Sequence, residues 1–289
     1  MSIGDAEIKT QERVIRFFKD PEILGYQYIG NLSDYQNKNI KEDRLRQYLR
    51  LKGYADKLID AAVMQLQQEA GNLSRGVYDA NKTVYSRLKY GIPVSESPEK
   101  PPVTVELIDE ANPLNNDFAI AEEVTVVEQQ EKRPDLVIYL NGIAVAVIEL
   151  KRSSISVSEG IRQNLTNQKD SFIRGFFTTM QFCMAGNESE GLRYGTLLTG
   201  EKFYMEWKDD GFKEHEEERD PVDVRISKTC EGIENKLLKQ IYAMFDKERF
   251  IDLIMNFVVF DKGIKKVCRY NQYFGIKRTQ QRLNNLRTF

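Results

Sequence analysis

Histidine is nearly absent. His215 is the only one among 289 residues, inside the charged run KEHEEERD, which reads as a solvated surface loop. Ser-His-Asp and Cys-His catalysis, HEXXH zinc sites and histidine-dependent metal nucleases therefore lack their parts. Cysteine is scarce too. Cys183, Cys230 and Cys268 are widely spaced with no CxxC pair, so neither a disulfide framework nor a structural zinc site is supported, and reduced thiols in a cytoplasmic protein are expected. Net charge is almost nil: 42 Lys+Arg against 44 Asp+Glu give −2. Any nucleic-acid contact would have to come from a local basic patch. Long apolar runs are missing. Residues 143–148 and 257–260 are far too short to span a bilayer, and MSIGDAEIKT carries no apolar signal segment, so no membrane association is expected. Hydrolysis in such a chain would rest on carboxylates, lysine, tyrosine or a metal.

What is present reads as alternating helices and strands. Helices are predicted over residues 6–18, twice within 42–70 with a break near Gly53, over 81–90 and over 159–173. Strands are predicted over 24–30, 103–109, 118–127, 178–187 and 195–207, the last with a turn at Thr199-Gly200. Residues 91–102 hold four of the eight prolines and read as a surface connection within one domain. Residues 209–221 are charged and turn-rich and are taken as a domain end. Residues 229–260 read as helical, with one stripe at Ile233, Leu237, Ile241 and Phe245 and another at Phe250, Leu253, Ile254 and Phe257. A basic terminal helix follows.

The chemistry concentrates in RPDLVIYLNGIAVAVIELKR, residues 133–152. Two β-type runs meet at Asn141-Gly142, with Asp135 opening the first and Glu149 and Lys151 closing the second. Phosphodiester hydrolysis needs the phosphate charge offset, a water made nucleophilic and the leaving oxygen stabilised. Two carboxylates holding Mg²⁺, which prefers oxygen ligands, with a lysine beside the attacking water, meet those needs. Glu149 and Lys151 share a strand face, and Leu150 offers its carbonyl at the strand end. Parity sets a condition on Asp135. A regular two-residue turn would set it opposite Ile148, facing away from Glu149. A three-residue loop, with Gly142 as a left-handed bulge, would pair Tyr139 with Ile143 and Asp135 with Val147. A common face therefore requires an odd loop or an equivalent bulge. The same residues also fit a solvent-facing hairpin edge with a surface Glu/Lys pair.

The stretch resembles the PD-(D/E)xK signature at the N-terminal end of the restriction (motor) subunit of type I restriction-modification enzymes. VELIDEANPLNNDFAIAEEVTV resembles the strand region before that signature. TQERVIRFF…LGYQYIG is similar to the opening helix and strand, and NFVVFDKGIKKVCRYNQYFGIKR to the entry of the helicase motor. The resemblance implies an α/β fold, a central mixed sheet flanked by helices (restriction-endonuclease-like), with a helical C-terminal extension. It implies a nuclease domain over 1–221 and a helical linker over 222–289 leading into a motor. It implies Mg²⁺-dependent endonucleolytic cleavage of double-stranded DNA, with methyltransferase and specificity subunits as partners. A nuclease-fold module that binds DNA or docks subunits without cutting is the alternative. Asp135 and Glu149 would bind Mg²⁺, and Lys151 would assist the attacking water. Glu12 fits an accessory acid on the first helix. Gln163 matches the glutamine of a Q-x-x-x-Y motif near the DNA, and Asn167 stands at the tyrosine position. Arg152, Arg162, Lys169 and Arg174 are candidate phosphate contacts. Gln272, in Arg269-Tyr270-Asn271-Gln272, resembles an adenine-sensing residue. No G-x-x-x-x-G-K-[ST] occurs, so the family's ATP-driven translocation is expected to lie outside these residues.

Overall fold

The computed structural model describes residues 3–95, 99–208 and 219–287, so His215 and most of the charged run around it lie outside the described residues. Helix α1 (Ile3–Lys19) leads into strand β1 (Gln27–Asn31). Three helices follow: α2 (Glu42–Leu51), α3 (Asp56–Gly71) and α4 (Val77–Tyr90). The stretch 91–102 is not all surface connection: residues 92–94 form a short strand, β2 (Ile92–Val94), with Ile92 and Val94 buried, and it pairs with β3 (Val103–Val105). Then come β4 (Phe118–Glu122), the small hairpin β5 (Val126–Val127) and β6 (Glu131–Lys132), and the central strands β7 (Leu136–Leu140) and β8 (Ile143–Leu150). Helix α5 (Val157–Asn167) crosses to β9 (Phe182–Asn187), which turns into β10 (Gly191–Gly195).

Six strands form the main sheet in the order β1-β4-β7-β8-β9-β10. The β1–β4 and β8–β9 pairs are parallel and the rest antiparallel, so the sheet is mixed and flanked by helices, as the sequence implied. Strand β8 is buried along its whole length, which suits its apolar run IAVAVI, with Glu149 buried beyond it. Its neighbour β7 alternates cleanly. Leu136, Ile138 and Leu140 face the larger core, and Val137 and Tyr139 face a second one containing Phe176, Phe177 and Met180.

The C-terminal region holds α6 (Pro221–Glu231), α7 (Lys236–Phe245) and α8 (Lys247–Asn256), the hairpin β11 (Val258–Asp261) and β12 (Ile264–Val267), and α9 (Tyr270–Arg287). Ile226, Leu237, Ile241, Phe245 and Phe250 enter the larger core beside Phe18, Leu45 and Ile138. An ion pair, Arg249 Nη2 to Asp223 Oδ1 at 3.0 Å, is buried among Trp207, Tyr273 and Phe274 and ties α8 to α6 and α9.

Four further sequence readings need correction. Residues 258–260 are a strand rather than helix: Val-Val-Phe is β-branched and aromatic, and Lys262-Gly263 turns it back on β12. The partner of β9 is Gly191–Gly195, because Gly191 at φ +81° lets the chain reverse just after Asn187. Residues 201–203 are instead a single 3₁₀ turn. Residues 174–179 are also 3₁₀, so β9 begins only at Phe182, and α5 ends at Asn167, short of residue 173.

Candidate active site

The hairpin that carries the acids is built around a two-residue turn. Leu140 pairs with Ile143, and the turn residues have positive φ, Asn141 at 52° and Gly142 at 80°. Asparagine tolerates this conformation, and its buried side chain pins the turn. Nδ2 donates to Leu107 O and Asn116 Oδ1, both at 2.8 Å, and Oδ1 accepts from Asp117 N at 2.7 Å. The three-residue loop is thus corrected. Parity is restored elsewhere, by a bulge: Tyr139 pairs with Ala144, Ile138 pairs with Ala146, and Val145 is the extra residue. Val145 and Ala146 both face the larger core, which breaks the alternation. Beyond it Leu136 pairs with Ile148, so Asp135 comes opposite Glu149 on the face of Val137 and Val147.

The structure brings Asp135, Glu149, Lys151 and Gln163 together. Asp135 Oδ2 accepts from the Leu150 N–H at 2.7 Å. Glu149 is fully buried, and its Oε2 accepts from Gln163 Nε2 at 2.7 Å. Gly160 makes this approach feasible. A Cβ there would lie 2.9 Å from Ala185 Cβ and 3.4 Å from Glu149 Cβ, so only glycine lets α5 sit this close to β8 and β9. Lys151 Nζ donates to the Leu150 carbonyl at 2.9 Å and lies 3.5 Å from Glu7 Oε1. The Leu150 carbonyl is therefore already engaged by Lys151.

Burial dominates the electrostatics. It raises the Asp135 carboxyl to about 6, against the pull of Lys151 and the Leu150 N–H. Glu149 is pushed well above the carboxylate range by burial and then by the adjacent Asp135 charge, with Lys151 opposing. Two buried carboxylates so placed repel each other, and a cation beside them would relieve that repulsion. Glu149 Oε1 is buried with no hydrogen-bond partner among the described residues, and an orphaned anionic oxygen is what a metal would satisfy. An all-oxygen pair suits a hard divalent ion such as Mg²⁺. The residues present fit that ion, although no group of three or more His, Cys, Asp or Glu side chains is placed to hold a metal among the described residues.

Other expected residues lie elsewhere. Glu12 is exposed, and the acid of α1 that reaches Lys151 is Glu7, five residues earlier and roughly 140° round the helix. Asn167 is buried at the end of α5, where its carbonyl accepts from Ile173 N. Arg162 is exposed and bound to Glu159 and Glu201, and Arg174 pairs with Asp170. Arg152 is half-buried beside Lys151, and Lys169 is exposed. Gln272 accepts from Arg269 N near the start of α9.

Sequence reasoning missed Glu7, Gln11 and Glu123. Gln11 Nε2 donates to Glu122 Oε2 at 3.0 Å and to Glu123 Oε1 at 3.1 Å. Glu123, at φ 50°, donates its N–H to the Asp135 carbonyl and pairs with Arg133 at 2.7 Å. The i, i+4 spacing of Glu7 and Gln11 was the available signal.

A mixed sheet flanked by helices, with two acids and a lysine at the ends of adjacent central strands, defines a restriction-endonuclease-like α/β fold. The chain belongs to the family described as type I restriction enzyme R protein N terminus, which matches residues 7–203. It is 27% identical over 275 residues, 91% of its length, to the putative type I restriction enzyme MjaVIIIP endonuclease subunit of Methanocaldococcus jannaschii, covering 24% of that protein. It is 27% identical over 222 residues to the putative MjaIXP endonuclease subunit of the same organism, covering 70% of the chain and 20% of the relative. The HindI endonuclease subunit of Haemophilus influenzae is 25% identical over 210 residues, 68% of the chain and 18% of that protein. The chain thus spans about a quarter or less of the length of these relatives. No helix among the described residues is long and apolar enough to cross a membrane.

Proposed function

We propose that the chain is the nuclease part of a type I restriction system, cutting double-stranded DNA with Mg²⁺. The observation that carries this reading is the bulge at Val145, which sets Asp135 opposite Glu149 on one sheet face, with a buried Glu149 oxygen that has no hydrogen-bond partner among the described residues. Asp135 and Glu149 would hold the ion. When bound, it would offset phosphate charge and lower the pKa of a coordinated water. Gln163 fixes the orientation of Glu149 through Oε2, leaving Oε1 for the ion. The Leu150 N–H does the same for Asp135. Lys151, steered by the Leu150 carbonyl and Glu7, presents an ammonium to the attacking water and the phosphate. The names of the relatives support a restriction endonuclease subunit, and assembly with methyltransferase and specificity subunits and an ATP-driven motor is part of the same proposal.

The test joins this chain to its motor and partner subunits with Mg²⁺ and ATP. Lys151→Ala and Asp135→Asn are each expected to lower DNA cleavage by about 10²- to 10³-fold. DNA affinity should stay nearly unchanged in Lys151→Ala. Wild-type complexes that translocate normally and cut nothing would favour a non-cleaving docking module instead.

A further inference from the structure

Among the described residues, hydrolysis leaves one buried cation both unused and without an ion pair. Lys265 on β12 is only 2% exposed, and among the described residues it forms no ion pair. Its Nζ donates to Asn81 Oδ1 at 2.8 Å, the Met180 carbonyl at 2.9 Å and Gln181 Oε1 at 2.6 Å. Three donors meet three neutral acceptors, the full complement of an ammonium. Phe260, its cross-strand partner, lies with its ring centroid 5.2 Å from Nζ. Burial lowers the lysine pKa well below its usual range, so the site is costly and is tolerated only because every donor is engaged.

What Lys265 grips is the segment before β9. Asn81 Nδ2 donates to the carbonyls of Phe177, Thr178 and Met180 at 3.1, 2.9 and 2.9 Å. That segment in turn grips β8. Thr179 Oγ1 donates to the Ala144 carbonyl, and the Gln181 N–H donates to the Val145 carbonyl, both at 2.7 Å. Val145 is the bulge residue, whose backbone groups fall outside the regular ladder of β7. Without the bulge, a one-residue slip would set Asp135 against Ile148 and turn Glu149 to the opposite face.

We infer that Lys265 is a positioning residue for the acidic pair: by holding Gln181 it holds the bulge, so the β11–β12 hairpin ties the segment leading into α9 to the register of β7 and β8. The functional consequence rests on the reading of Asp135 and Glu149 as the hydrolytic pair, but the mechanical link does not.

Amide exchange in this chain tests it. The reporters are Gln181 N–H, bound to Val145 O, and Leu150 N–H, bound to Asp135 Oδ2. Lys265→Met should speed exchange at both by about 10-fold or more relative to amides of α6, which packs on α7 and α8. Lys265→Gln, which keeps a donor for Gln181, should produce a smaller selective rise. Mn²⁺ affinity should fall about 10-fold in Lys265→Met, as for loss of support to a metal ligand. A uniform rise across all amides would show a merely stabilising lysine and overturn the inference, as would unchanged exchange at the two reporters. Should Lys265→Met fail to fold, Lys265→Gln decides by the same selectivity. Wild-type chain that binds no Mn²⁺ would sink the hydrolytic reading, while the exchange pattern would still decide the link.

Discussion

Two hairpins in this protein share a turn and little else. Both reverse through two residues at positive φ, Asn141-Gly142 in one and Lys262-Gly263 in the other. The β11–β12 hairpin keeps a regular register from Val258↔Val267 to Asp261↔Ile264, with its turn in solvent. The β7–β8 hairpin is wholly buried and skips Val145. A turn alone therefore does not fix register over a strand. In the buried hairpin the register is set by tertiary bonds: Asn39 O to Ala144 N, Thr179 to Ala144, and Gln181 to Val145.

The glycines of the two turns offer the sharpest contrast. A Cβ at Gly142 would lie 2.6 Å from Lys41 O and 2.7 Å from Leu45 N, both backbone atoms of the α2 entry. Gly142→Ala is expected to cost about 3 kcal/mol or more. A Cβ at Gly263 would meet nothing within 4 Å, so Gly263→Ala should cost only the left-handed strain, about 1 kcal/mol. Denaturant unfolding of both variants measures this, and equal losses would erase the distinction between the hairpins.

A smaller effect is expected where the buried hairpin meets α5. Gln163→Ala removes the donor to Glu149 Oε2 and should weaken Mn²⁺ binding about 10-fold with little loss of stability, as calorimetric titration would show.

The smallest effect is a pH slope. Burial raises Asp135 from 3.8 to about 6, so the folded chain holds this proton more tightly than the unfolded one. In the metal-free chain that stabilisation is fully present below pH 3.8 and is lost as pH rises through about 6. Glu149, raised more strongly, adds a slope of the same sign. Melting temperatures in a chelator should fall across this window, and Asp135→Asn should flatten the curve. Mn²⁺ affinity should run the opposite way, rising with pH as the protons leave.

The sequence made the alternation of helices and strands legible, and with it the identities of Asp135, Glu149 and Lys151. It also made legible the need for one extra residue between the acids. It did not say where that residue lies. IAVAVI, residues 143–148, is apolar throughout, so a break of alternation at Val145–Ala146 leaves no mark in the pattern. The β11–β12 hairpin misleads for the opposite reason. Ile264 and Val259 point outward while Lys265 points inward, inverting the usual rule. Only the acceptors at Asn81, Met180 and Gln181 make that placement stable, and they lie 84 or more residues away in sequence. Glu7 was missed because its i, i+4 spacing to Gln11 marks a shared face without saying what that face meets, and Glu12 looked equivalent.

Asn81, Gln181 and Lys265 also bear on how such a chain can change through descent. If the lysine alone is lost, the amide oxygens of Asn81 and Gln181 stay buried without a donor, at about 1–3 kcal/mol each. Exchanging all three together for apolar residues would not avoid the cost, because the carbonyls of Phe177, Thr178 and Met180 would lose the Asn81 donor. The three positions are therefore bound to a common fate: lineages should keep the set, and partial replacements should be rare.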